Sequence, residues 1–151
     1  MQRRSLKDES CPVARSLDVI GDWWSLLIVR DALLGKTRFG EFRDSLGLAK
    51  NILAARLKKL VAEGILELEP AADGSPYQEY RLSEKGRSLY VVVAALAQWG
   101  NGCLFGEGEA RRVLVDRATD EPLPPIALRS AEGKVLGSRD IRLTAPGEIT
   151  A

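Results

Sequence analysis

The feature that most constrains this 151-residue chain is a change of hydrophobic period at Gly64. Before it, "LAKNILAARLKKLVAEG" (48–64) carries Leu53, Leu57 and Leu60. At 100° per residue, Leu57 and Leu60 fall within about 40° of Leu53, so one side of a helix is apolar. After it, "ILELEP" (65–70) and "YQEYRL" (77–82) alternate apolar and polar residues, and the "AADGSP" between them supplies turn chemistry. A 3.6-residue period followed directly by a 2-residue period specifies an amphipathic helix running into a β-hairpin.

The elements around this pair complete an architecture. "RFGEFRDSLG" (38–47) reads as a short helix ended by Gly47. With the helix that follows, it forms a helix-turn-helix, and the added hairpin makes a winged helix. Upstream, "CPVARSLDVI" (11–20) places Val13, Leu17 and Ile20 at helical spacing, with Pro12 suited to the first helical position. "DWWSLLIVRDALLG" (22–35) is apolar nearly all round, which marks the centre of the domain, with Asp22 as its N-cap and Gly35 beyond its end. "SEKGRSLYVVVAALAQWGNGCLF" (83–105) reads as one last helix capped by Ser83. Its stripe of Leu89, Val92, Val93, Leu96 and Trp99 is wider than a single winged-helix core needs, so a homodimer is expected to cover it. The predicted fold class is mainly α with a small β wing. A winged helix-turn-helix DNA-binding and dimerisation domain spans 1–106, and a β-rich extension of short hairpins spans 107–151. Turns are expected there at 119–120 and 132–133. The extension reads either as a module packed on the dimer or wing, or as a cover over an effector site.

Charge separates the function classes. The chain nets only +1, yet 36–59 holds seven bases against Glu41 and Asp44, a surplus of five, so the remainder sums to −4. A local basic segment on a near-neutral protein suits a polyanion. On the helix of 48–64, Asn51, Ala54, Ala55, Lys58 and Ala62 oppose the leucines. Small residues admit close approach to base edges, and Asn can pair bidentately with adenine. The plainer alternative is a surface helix whose alanines reflect helix propensity. Gly74 and Ser75, at the wing tip, are placed to reach backbone or minor groove. The chain contains no histidine and only two cysteines, about ninety positions apart. That removes Ser-His-Asp and Cys-His catalysis and the commonest zinc ligand, so no enzyme, metal site or cofactor is expected. No apolar run approaches a membrane span, and a cytoplasmic protein is the expectation.

The run "CPV", "SLDVIGDWWSLLIVRDALLG", "RFGEFRDSLG", "LAKNILAARLKKLVAEGIL", "YRLSEKG" and "LAQWG", over about 11–100, resembles the HxlR-type winged helix-turn-helix transcriptional regulators of bacteria. The resemblance implies a dimeric repressor or activator of nearby genes, with repression the preferred reading, binding a double-stranded DNA operator. It implies that the first and last helices build the dimer interface. It also implies a recognition helix at "NILAARLKKL", with Lys50, Asn51, Arg56 and Lys58 facing DNA. Arg38, in the family's "RF" pair, either touches phosphate or caps and orients its helix. Arg56 flanks the buried side, so an intramolecular ion pair is its alternative. Three positions depart from the family pattern: Ala49 for Ser, Trp23 for Lys or Arg, and Tyr77 for Arg. Some relatives sense oxidants or electrophiles through the cysteine matching Cys11, whereas a small-molecule effector near Trp23 and Trp24 needs no thiol. At a helix start, with Arg15 one turn on, Cys11 is placed to favour a thiolate; as a plain structural residue it fixes that start. The competing function is a winged helix used only to bind other proteins.

Overall fold

In the computed structural model, which describes residues 4–150, the helices of the first part are α1 (Pro12–Ile20), α2 (Ser25–Leu33), α3 (Phe39–Leu46) and α4 (Lys50–Ala62). The strands β1 (Leu66–Pro70) and β2 (Gln78–Leu82) follow, then α5 (Glu84–Arg87) and α6 (Tyr90–Cys103). Beyond them come β3 (Leu128–Arg129), β4 (Val135–Leu136) and a single 3₁₀ turn at Pro146–Glu148. The chain divides into two compact units, Met1–Ala94 and Ala95–Ala151, and the dividing point lies inside α6. Among the described residues no helix is long and apolar enough to cross a membrane.

The first unit is the winged helix-turn-helix that the period change specifies. Leu53, Leu57 and Leu60 of α4 are fully buried and pack with Ile28 and Val29 of α2, Phe42 of α3, and Ile65, Leu66 and Leu82 of the hairpin. The backbone enters left-handed conformations at Gly47 (φ 66°), which ends α3, and Gly64 (φ 71°), which turns α4 into β1. Both are glycines because a Cβ is disfavoured there. The hairpin is antiparallel, with Leu66 opposite Leu82 and Pro70 opposite Gln78. Its inner strand is tied to the helix-turn-helix by Tyr80 N–H, which donates to Thr37 O at 2.7 Å. The Tyr80 ring meets Phe42 edge to face, 6.5 Å between centroids.

Two helix boundaries differ from the sequence expectation. Asp22 is not the N-cap of α2: Trp24 holds that position, the regular helix starts at Ser25, and Asp22 Oδ1 accepts from Trp24 N and Ser25 N to fix the turn before it. The single last helix is two. Ser83 Oγ accepts from Gly86 N (3.0 Å) and donates to Gly64 O, which pins α5 against the end of α4. A Cβ on Gly86 would lie 2.1 Å from Ile65 O, so the chain passes that carbonyl only as glycine. Held there, it turns at 88–89, where Leu89 N bonds Gly86 O and Ser88 Oγ donates to Lys85 O, before α6 resumes. This turn sets Leu89 and Val93 against the core.

The second unit is sparser in regular structure than expected. Its first hairpin reduces to a bridge between Val115 and Pro122 around a turn with Asp120 at φ 56°. Its second is the two-residue pair β3–β4, turning at Gly133 (φ 87°). Both turns fall where the sequence placed them.

Candidate nucleic-acid interface

Helix α4 presents opposite chemistries on its two sides. With Leu53, Leu57 and Leu60 fully buried, Lys50, Asn51, Ala54, Ala55, Lys58 and Ala62 are exposed. The start of α4 has Ala49 at the capping position, whose side chain accepts no hydrogen bond, so its first amides are left without a side-chain cap. That is the local consequence of alanine where the family pattern has serine.

The basic residues of 36–59 fall into two groups. Lys36, Lys50 and Lys58 make no ion pair among the described residues. The others are engaged within the protein. Arg56, half-buried, places Nε 3.7 Å from Asp22 Oδ1. Lys59 Nζ donates to Asp18 O at 3.2 Å, 41 positions away, and so belongs to the anchored side of the helix. Arg43 pairs with its neighbour Asp44. Arg38 Nη2 meets Asp73 Oδ2 at 2.5 Å and lies 3.7 Å from Glu79 Oε1. Of the bases expected to face DNA, Lys50 and Lys58 therefore stand free beside Asn51, while Arg38 and Arg56 are each held by carboxylates.

Those carboxylates are shaped by their own hydrogen bonds. Asp73 Oδ1 accepts from Ser75 N (3.0 Å), which folds the wing tip around Gly74. That bond and the Arg38 guanidinium hold the Asp73 carboxyl down at about 2. Glu41 reaches back to accept from Thr37 N and Arg38 N, and these two bonds hold its carboxyl below the ordinary range while fixing the entry to α3. At Asp22 burial works to raise the pKa. The bonds from Ser25 and Trp24, with the Arg56 charge, outweigh it and leave the group lowered. Gly74 is exposed at the wing tip and Ser75 is half-buried behind it.

Sequence reasoning missed the carboxylates that hold Arg38. Glu79 is almost fully buried on β2, paired to Arg81 Nη2 at 2.5 Å, while Arg81 Nε reaches Glu69 across the hairpin at 3.1 Å. The available signal was the Glu79–Arg81 spacing of two, which puts both on one face of a strand.

Cys11 is the backbone N-cap of α1, half-buried and a free thiol; Cys103 is free and exposed. The nearby Arg15 is turned to a backbone partner, its Nε donating to Glu9 O. Trp24 is half-buried against the core, and Trp23 is 86% exposed. Of the expected dimer stripe, Leu89 and Val93 pack on the core, while Val92, Leu96 and Trp99 are exposed. Among the described residues there is no cluster of acidic and thiol side chains able to hold a metal ion.

Comparison with known proteins places this geometry. The model of the HxlR-like helix-turn-helix family matches residues 19–106. The chain is 39% identical over 89 residues to an uncharacterized HTH-type transcriptional regulator of Mycobacterium tuberculosis, covering 59% of this chain and 56% of that one. It thus spans little more than half the length of that relative. The HTH-type transcriptional regulator YybR of Bacillus subtilis is 38% identical over 93 residues, covering 61% of this chain and 74% of the other. Among solved structures, PA1607 matches with a TM-score of 0.88 at 53% identity over 91% of this chain and 96% of that one. The oxidized form of the redox regulator HypR matches with a TM-score of 0.57 at 35% identity, covering 64% of this chain and all of the other.

Proposed function

The chain belongs to the HxlR-like helix-turn-helix family, and on that premise we propose that it is a sequence-specific DNA-binding transcriptional regulator. It acts in the cytoplasm as a homodimer, repressing rather than activating, on an operator near its own or adjacent genes. One observation carries this reading: the exposed side of α4 offers Asn51, two small alanines and the unpaired Lys50 and Lys58, directly opposite a fully buried leucine side. Asn51 suits an adenine edge in the major groove, while the lysines suit flanking phosphates. The uncapped amides at the start of α4 add partial positive charge toward the same polyanion. Arg38 and Arg56 act from behind, orienting the wing and the helix. The relatives named above are transcriptional regulators, in keeping with the expectation of a protein that is not an enzyme.

A gel-shift titration with duplex DNA from upstream of the gene, run at several salt concentrations, tests the proposal. Specific binding with log Kd rising linearly in log salt is the expected result. Binding no tighter than to random DNA, and indifferent to salt, would leave a protein-interaction module instead.

The regulator responds to an electrophile or oxidant through Cys11. The free, half-buried thiol at the positive end of α1 supports this, as does the similarity to HypR, a redox regulator. Mass spectrometry after mild oxidant, with DNA affinity measured in parallel, is the test; an unmodified Cys11 with unchanged affinity removes the thiol from the proposal.

A further inference from the structure

We propose that the cleft between α1 and α5 binds a small organic acid with an apolar body, and that its occupancy loosens the end of α4. The effect on DNA rests on the function proposed above; the site itself does not.

The cleft follows from the way the chain turns after the wing. Gly86 packs on Ile65 O and brings α5 to the end of α4, and residues of α1 form the facing wall. The space between them is about 280 Å³ and lies wholly within the first unit. Its apolar lining is Val19, Ile20, Ile65 and Leu89. Ile20 and Ile65 are buried, and Val19 and Leu89 pack against the core, so this surface is fixed before any ligand arrives. The polar lining is one base and one serine from each wall, and no acid. Both serine hydroxyls are committed, Ser16 Oγ donating to Pro12 O (2.8 Å) and Ser88 Oγ to Lys85 O (2.6 Å). Recognition of a polar group is therefore left to the two bases, Arg15 and Lys85.

Those bases differ from the other engaged arginines of this unit. Arg30, Arg38, Arg56 and Arg81 each meet a carboxylate. Arg15 Nε donates to Glu9 O at 2.5 Å and Lys85 Nζ to Glu63 O at 2.7 Å, and neither base forms an ion pair among the described residues. A carbonyl orients a cation without cancelling its charge. Two uncancelled cations from different helices, above an apolar floor, match an anion that carries apolar surface. Inorganic phosphate would gain nothing from that floor. The volume is at the small end of ligand pockets, which run from about 300 to 1,000 Å³, so it suits a single-ring or short-chain carboxylic acid. Neither Trp23 nor Trp24, where the sequence placed an effector, lines it.

Lys85 ties the site to α4. Glu63 is the C-cap of that helix, and the Lys85 ammonium on its carbonyl sets a cation at the negative helix end. A carboxylate in the cleft offers Lys85 a stronger, doubly charged bond, which draws it off Glu63 O. The end of α4 then loses its cation, on the helix that carries Asn51 and Lys58. Acid and DNA therefore oppose one another, each lowering the affinity of the other.

Benzoate is the probe, with benzamide as its uncharged counterpart, in an amide NMR titration of the full chain. Benzoate should shift the amides of Ser16, Ile65, Ser88 and Leu89 with a Kd below about 5 mM, and benzamide should bind at least about 10-fold more weakly. Arg15→Gln and Lys85→Gln change exposed side chains, so both should keep the circular dichroism of the parent. Each should weaken benzoate about 10-fold and leave benzamide unchanged, a split that a general loss of structure would not give. Saturating benzoate should raise the Kd for operator DNA about 5-fold or more over an equal concentration of chloride, which controls for salt. Shifts that do not saturate, that fall outside the cleft, or that persist unchanged in both variants overturn the site. Shifts at the cleft with DNA affinity equal to that in chloride overturn the coupling alone. A chain that binds no DNA fails the regulator reading and the coupling together, and the titration still decides the site.

Discussion

Arg38, at the entry to α3, and Asp73, at the tip of the wing, are 35 positions apart in sequence and meet at 2.5 Å. The contact anchors the wing to the helix-turn-helix, and Glu79 at 3.7 Å adds a second carboxylate. A DNA phosphate reaching Arg38 would therefore have to displace two carboxylates.

Asp73→Asn should release Arg38. Affinity for any duplex is then expected to rise about 3- to 10-fold, with the slope of log K against log salt steeper by about one, since one more phosphate is neutralised. Fluorescence anisotropy at several salt concentrations measures both. An unchanged slope would mean that Arg38 does not reach phosphate even when freed.

The same contact predicts a pH response. Bonds from Ser75 and Arg38 hold the Asp73 carboxyl at about 2, below its ordinary 3.8. A group lowered in the folded state contributes its full stabilisation above the unfolded value and loses it as pH falls through the folded one. The wing tie should thus be indifferent to pH from about 5 to 8 and loosen only below about 4. Carboxyl-carbon NMR of Asp73 checks this, and a midpoint at or above 4 would show that the tie does not form in solution.

On the exposed face of α4, Asn51 and Lys58 should behave differently. Asn51→Ala is expected to cost about 1–3 kcal/mol on the operator and little on random DNA. Lys58→Ala should weaken both alike and lower the salt slope by about one. Equal losses on both DNAs for Asn51→Ala would place Asn51 among the phosphate contacts.

Asp22 fixes the turn before α2, accepting from Trp24 N and Ser25 N, and faces Arg56 of α4. Asp22→Ala should lower stability by about 1–2 kcal/mol, since it leaves two backbone N–H groups at the helix start without their acceptor. Urea unfolding followed by circular dichroism measures it; a change under about half a kcal/mol would show that the turn before α2 holds without its carboxylate.

Gly86→Ala tests the break between α5 and α6. The new Cβ would sit 2.1 Å from Ile65 O, a backbone atom that cannot swing aside. A loss of about 3 kcal/mol or more is expected, against the stabilisation that alanine normally brings to a helix. Thermal unfolding at or above the parent's midpoint would refute the close approach.

Much of the first unit is legible in the sequence because its signals are local. The spacing of Leu53, Leu57 and Leu60 marks the buried side of α4, glycines stand where α3 and α4 end, and the alternation of 65–82 marks the wing. The exposed position of Asn51 and Lys58 follows from the same spacing. The boundaries that shifted depend on contacts from elsewhere: α5 is separated from α6 because Gly86 packs on Ile65, a residue twenty-one positions earlier.

By itself, then, the sequence determined the order of elements, the two sides of α4 and the positions of the turns, since hydrophobic period and glycine conformation act over a few residues. Only the tertiary structure decided which bases are free. In the linear segment Arg38 and Arg56 each read as either a DNA contact or an internally engaged base, and Lys59 only as one charge of a basic run, yet each is met by an oxygen from a distant element: Asp73, Asp22 and the Asp18 carbonyl. Charge counts add along a chain, but ion pairs form at a few ångströms, and only packing brings those partners together.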